Sequence, residues 1–327
     1  MRRSGAVKAA SRGSRAPPGA PRRGARARAR AHNLGVSRAS DGADARRADG
    51  RGLTAARCHP QDLPKRFVRA SRPAETEFPA WLEGEWAATG SFDGFVLPHK
   101  DRFDTRRLMS ERSVPGFTKA SLVWLADVGR SGVGYRLRFS RRRGDGAVIA
   151  DSAFNLTSVL EAYLDAPGAV ESVELDGPNR VTLNTREGSV RGGARIELYR
   201  NDSETELRES DGTFFDSETF RQVNLDYSTT AGVAAMGVYD YTLVYTYTPL
   251  WDGDNEAAAG GVPSRLRSSL SVFAYLQPNV AATFSAAPSP AQPGGPPIPK
   301  AALGGLLDAS AQPAILYSTH SDLERVK

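Results

Sequence analysis

Val133-Gly134-Tyr135-Arg136-Leu137-Arg138-Phe139-Ser140 alternates without a break: Val133, Tyr135, Leu137 and Phe139 are apolar, and Gly, Arg and Ser lie between them. A period of two with one apolar and one polar face belongs to a half-buried antiparallel strand. Downstream, Arg143-Gly144-Asp145-Gly146 supplies turn residues and leads into Ala147-Val148-Ile149-Ala150. The pair reads as a hairpin, and the Arg-Gly-Asp triplet is its turn rather than an adhesion signal. Next, Leu156, Val159, Leu160, Tyr163 and Leu164 recur at helical spacing. This predicts one amphipathic helix, capped by Ser152 or Asn155 and stopped at Pro167-Gly168.

Further strands are predicted over 170–175, 180–184, 195–199, 213–225, 239–247, 267–276 and 313–320. Upstream, Phe78-Pro79-Ala80-Trp81-Leu82-Glu83-Gly84-Glu85-Trp86 opens a first strand, with Trp86 as an apolar plug and Gly84 as a tight backbone turn. About nine or ten strands and one main helix predict a mainly β protein, an antiparallel barrel or sandwich. Residues 1–75 read as a disordered leader, 76–285 as the β-barrel domain, 286–312 as a Pro/Gly/Ala-rich flexible insertion and 313–327 as the final barrel strand.

Charge divides the chain in the same way. Residues 1–58 hold 15 Arg+Lys and 3 Asp, leaving 28 basic and 34 acidic residues in 59–327. The basic pI therefore belongs to the leader, and the folded part is mildly acidic, which argues against nucleic-acid binding. The leader is rich in Arg, Ala, Gly and Ser and poor in acids, the composition of an organelle transit peptide. Neither Arg22-Arg23 nor Arg46-Arg47 is followed by an apolar segment, so a second signal for a thylakoid lumen is not visible. No apolar run reaches the roughly 18 residues of a membrane-spanning helix.

Few residues carry recognisable chemistry. The single cysteine, Cys58, lies in the leader, so the folded part has no disulfide, cysteine nucleophile or thiolate metal site. His32, His59, His99 and His320 are too scattered to ligate a metal together. Asp252-Gly253-Asp254-Asn255-Glu256 lacks the spacing of a calcium loop and reads as a solvated turn. No Gly-x-Ser-x-Gly elbow and no phosphate-binding glycine loop is present. No catalytic residue, metal or cofactor is indicated. The most suggestive pattern is Tyr239, Tyr241, Tyr245 and Tyr247 on one strand face. Turned into a barrel, they would offer rings for apolar contact and hydroxyls to orient a ligand, with Trp86 a further candidate contact.

In order, several blocks resemble a family of cyanobacteria and of algal and plant plastids, domain of unknown function 6816. They are Phe78–Trp86, Val148-Ile149-Ala150-Asp151-Ser152-Ala153-Phe154-Asn155 running on to Leu164, Ala274-Tyr275-Leu276-Gln277-Pro278 and Pro313-Ala314-Ile315-Leu316-Tyr317. The resemblance implies a chloroplast protein, stromal or thylakoid-associated, and supplies no catalytic residues. Gly84-Glu85-Trp86 also resembles the Gly-x-Trp of lipocalins, which implies an arginine stacked on the tryptophan, and Arg325 is placed for that. The expectation is a non-enzymatic plastid barrel that binds a small apolar ligand such as a lipid, isoprenoid or tetrapyrrole. The alternatives are an assembly factor of photosynthetic membrane complexes and a barrel enzyme of isomerase or cyclase type.

Overall fold

The computed structural model describes residues 73–100, 103–125, 129–186, 188–189, 194–226, 235–251, 261–284 and 310–327. The leader (but for residues 73–75), the insertion (but for 310–312) and the Asp252–Glu256 turn lie outside them. Ten strands form one antiparallel sheet: β1 (Gly84–Val96), β2 (Ser131–Arg141), β3 (Val148–Ala150), β4 (Val170–Leu175), β5 (Arg180–Thr185), β6 (Ala194–Arg208), β7 (Thr213–Asp226), β8 (Ala235–Leu250), β9 (Arg265–Tyr275) and β10 (Pro313–Arg325). The strand order is β3-β2-β1-β10-β9-β8-β7-β6-β5-β4. The sheet curls into a half-barrel, and among the described residues no β pairing joins β3 to β4.

Among the described residues the α-helices are α1 (Thr105–Ser110), α2 (Ser152–Leu164) and α3 (Pro278–Phe284). α2 is the predicted main helix, but Asp151, not Ser152 or Asn155, caps it by accepting from the Phe154 N–H at 3.2 Å. It ends at Asp165, whose φ of 53° is left-handed. Asn155 is otherwise employed. Its Oδ1 accepts from the Arg138 N–H at 2.7 Å, and its Nδ2 donates to the Arg138 carbonyl at 3.1 Å. Ser158 Oγ accepts from the Arg136 N–H at 2.7 Å. β3 pairs only with residues 139–141 of β2, so these side chains satisfy the β2 edge beyond it. At its other flank α2 reaches β4, where Glu161 Oε1 accepts from the Val170 N–H. The helix therefore packs on strands from opposite ends of the sheet.

The segment between β1 and β2 fills one end of the half-barrel. Leu108, Val114, Ala120, Leu122, Val123 and Leu125 are all buried there. The Ala120 carbonyl accepts from Gln222 Nε2 at 2.6 Å and Asn224 Nδ2 at 2.8 Å. Gln222 Oε1 in turn accepts from the Val123 N–H and from the Tyr241 hydroxyl. The two bonds to its carbonyl pin Ala120, whose φ of 57° is a left-handed backbone that L-residues avoid.

The Trp86 end is filled differently. Trp86 is fully buried and its indole donates to the Leu82 carbonyl at 2.9 Å. The Arg325 guanidinium lies 4.3 Å above its ring and donates to the carbonyls of Trp81, Glu83 and Pro263. Gly84 makes room for it. A Cβ there would lie 2.4 Å from Arg325 Nη1, and the φ of +124° is itself a glycine conformation.

Candidate functional site

Between these filled ends the half-barrel is hollow. A cavity of about 310 Å³ lies against the inner face of β2, β7, β8, β9 and β10 and against α2. Side-chain size explains it. Apart from Leu270, the inner face of the central strands is small where it borders the cavity, with Ser268 on β9 and Thr319 and Ser321 on β10. Opposite and beside them stand large rings. Phe78 packs at 5.0 Å from Phe139 and 5.5 Å from Phe214, and Tyr245 stacks on Tyr247 at 5.8 Å. Gly90 extends the small surface. A Cβ there would meet Tyr135 at 3.1 Å and the Tyr163 hydroxyl at 3.4 Å.

The structure divides the candidate ligand-contacting residues. Tyr245 and Tyr247 line the cavity, whereas Trp86, Tyr239 and Tyr241 do not. Tyr241 is fully buried against Gln222 and the β1–β2 segment, and Trp86 sits under Arg325. That segment does bring Trp124 to the cavity wall. Burial pushes the hydroxyls of Tyr245 and Tyr247 well up, so both stay protonated donors.

Sequence reasoning missed the polar side of the site. Asp216 and Glu218 of β7 and Arg200 of β6 face the cavity. Arg200 continues the inward face of Ile196 and Leu198, and a bulge between Arg200 and Asp202 puts the residues after it out of step. Arg200, 8 % exposed, pairs with Glu218 at 2.5 Å. It also donates to Thr76 Oγ1 at 2.9 Å, the Ala74 carbonyl at 2.8 Å and Asn179 Oδ1 at 3.2 Å. These bonds fasten the segment before β1 over the cavity. Asp216 is 3 % exposed and its Oδ1 has no hydrogen-bond partner among the described residues; nor has Trp124 Nε1. Burial holds the Asp216 carboxyl well above the usual carboxylate range. The Glu218 charge adds to this, and Arg200 opposes it.

His320 lies on the surface, 2.6 Å from Asp93. Among the described residues no group of three His, Cys, Asp or Glu side chains could hold a metal ion, and no helix is long and apolar enough to cross a membrane.

Fold and site together define an antiparallel half-barrel around an internal aromatic cavity with one acidic wall. The chain belongs to the family described as domain of unknown function (DUF6816), whose model matches residues 70–293. No curated protein and no solved structure matches it, so the lipocalin likeness rests on its three-residue motif and the Trp86–Arg325 stack.

Proposed function

We propose that this protein binds a small, largely apolar molecule inside the half-barrel and is not an enzyme. The observation that carries this reading is the cavity of about 310 Å³, walled by aromatic rings and holding two buried polar atoms, Asp216 Oδ1 and Trp124 Nε1, that have no hydrogen-bond partner among the described residues. Ligand pockets have this make-up, mostly apolar walls with a few polar groups that fix orientation, and sizes from about 300 Å³ upward. A protein that acted only through its surface would have no use for a hollow interior, since an unfilled core loses packing energy. Lipids, isoprenoids and fragments of larger pigments all present the required apolar body. The basic, acid-poor composition of residues 1–58 supports import into a plastid.

The test is native mass spectrometry of the protein from its own source, with organic extraction of what it carries. A bound small molecule near unit stoichiometry is the expected result. An empty protein that co-purifies with a membrane complex would overturn the reading in favour of an assembly role.

A further inference from the structure

Among the described residues no strand joins the two ends of the sheet, β3 and β4, and two elements cover the gap between them. One is α2, which packs on β2 and β4. The other is the segment 73–78, which runs from one bank of the gap to the other. The Pro73 carbonyl accepts from Asn179 Nδ2 in the β4–β5 turn at 2.9 Å, and the Phe78 N–H donates to the Val148 carbonyl of β3 at 2.8 Å. Between these points the Ala74 carbonyl and Thr76 Oγ1 both accept from Arg200. Thr76 and Phe78 line the cavity, whereas Glu77 is exposed. The cavity wall also takes in Ile149 and Ala150 on one bank and the exposed Leu175 and Pro178 on the other. The cavity therefore comes to the surface beside this segment.

The two covers are held by different forces. α2 buries Leu156, Val159, Leu160, Tyr163 and Leu164. The segment 73–78 has one large apolar side chain, Phe78, half-buried against Phe139, Phe214 and Tyr247. The rest of its hold is polar. Arg142, just past the end of β2, pairs with Glu75 at 2.9 Å and with Glu77 at 2.6 Å, and Arg200 and Asn179 supply the other bonds. Water replaces polar bonds at small net cost, but exposing a buried apolar stripe is expensive, so the segment lifts before the helix does. Past Pro79 the chain is clamped. Leu82 is fully buried and its carbonyl accepts from the Trp86 indole, while Arg325 donates to the carbonyls of Trp81 and Glu83. A segment fixed at one end and held by polar bonds along its length has the layout of a hinged lid.

We infer that residues 73–78 are a gate over the cavity, hinged at Pro79 and latched by Arg142 and Arg200, and that a guest passes between β3 and the β4–β5 turn when the gate lifts. This rests on the cavity being a ligand site. Arg142 holds the gate from outside and takes no part in the cavity wall, so it governs how fast a guest exchanges and not how tightly it is held.

The experiment uses the full chain and the neutral fluorophore N-phenyl-1-naphthylamine, with binding and release followed by stopped-flow fluorescence. Amide hydrogen exchange is read by mass spectrometry on the same protein. Arg142→Ala is expected to speed association and dissociation alike, about fivefold, and to leave Kd within about twofold, in line with the loss of two partly exposed ion pairs. Raising NaCl from about 0.05 M to about 0.5 M should speed probe exchange in the wild type and much less in the variant, because salt screens the same pairs. Hydrogen exchange over residues 73–80 should rise about fivefold in the variant, with that over α2 unchanged. Unchanged probe rates in Arg142→Ala, with the probe still bound, would overturn the gate and leave the ligand site standing. Faster hydrogen exchange over α2 as well would also overturn it, since the variant would then act through global stability. If the probe does not bind, the ligand site falls and the gate has no guest to admit.

Discussion

β7 and β8 run the length of the half-barrel, and their inner faces meet two different fates. Toward one end, Gln222 and Tyr241 are locked into the β1–β2 segment, and the polar atoms of both side chains are bonded there. Toward the middle, Asp216 and Tyr247 face a cavity, and Asp216 Oδ1 has no hydrogen-bond partner among the described residues. Two tyrosines on the same face of the same strand are thus core in one place and wall in the other. What separates them is whether the chain itself returns to satisfy them. Where it does, the region contributes stability; where it does not, the region has kept polar groups in reserve.

The sharpest way to break that contrast is to damage the satisfied end. Gln222→Ala removes an acceptor for two buried groups and a donor to two more, the Ala120 carbonyl and the half-buried Asn224 Oδ1. It should cost about 3 kcal/mol, read from the urea midpoint, at about 1 kcal/mol for each of the three fully buried bonds. A loss below about 1 kcal/mol would mean that the plug is not held as described.

The Trp86 end supplies a second filled region. Gly84→Ala should cost about 2 kcal/mol, because the new methyl meets Arg325 Nη1 and the residue keeps a left-handed φ. In an Arg325→Ala background the added cost should fall to about 1 kcal/mol, the backbone share alone. Equal costs in both backgrounds would break the proposed coupling between the two residues.

The hollow middle should respond in the opposite sense. The Asp216 pKa is raised above its ordinary 3.8, so the native state holds the proton to higher pH than the unfolded chain does. The stability this contributes is complete below 3.8 and is lost as pH rises through the raised value. Glu218 and Arg200 face the same carboxyl, with Tyr245 and Tyr247 across from them on β8. Asp216→Asn should therefore flatten the decline of stability with rising pH and exceed the wild type by about 1 kcal/mol at pH 8. An unchanged pH profile would show that Asp216 does not titrate in that window. The smallest effect is expected of Gly90→Ala. Its methyl would press on Tyr135, the Ser321 hydroxyl and Tyr163, all of which border empty space and can yield, so the loss should stay under about 1 kcal/mol by thermal melting.

Much of the fold is legible in the sequence because its strands alternate cleanly. β2 shows one face of Val133, Tyr135, Leu137 and Phe139, and α2 shows its buried stripe from Leu156 to Leu164. The extent of β6 is not legible: the alternation read over 195–199 runs on to Arg208 through the bulge before Asp202, which shifts the pattern by one residue. The β1–β2 segment has no period to read, since its residues are buried by turns rather than by a repeating element.

The candidate site shows the same limit. The even positions of β7 read Phe214, Asp216, Glu218, Phe220 and the odd ones Phe215, Ser217, Thr219, Arg221. Both faces mix polar with apolar residues, so neither announces itself as inward. The pairing of Asp216 with Tyr245 across to β8 decides it, and register is a property of two strands together. Tyr239 and Tyr241 could not be parted from Tyr245 and Tyr247 by alternation, because alternation assigns a face and not a depth along it.

The amide of Asn155 has a wider consequence. By offering Arg138 one acceptor and one donor, it imitates the contact a neighbouring strand would make. An unpaired strand margin invites another copy of the same chain to add on, the first step toward fibres. A side chain on a helix occupies that margin in a way no incoming strand can extend, because the helix offers no further ladder beyond it. The margin of β2 is thus covered by a helix without becoming a template for self-association.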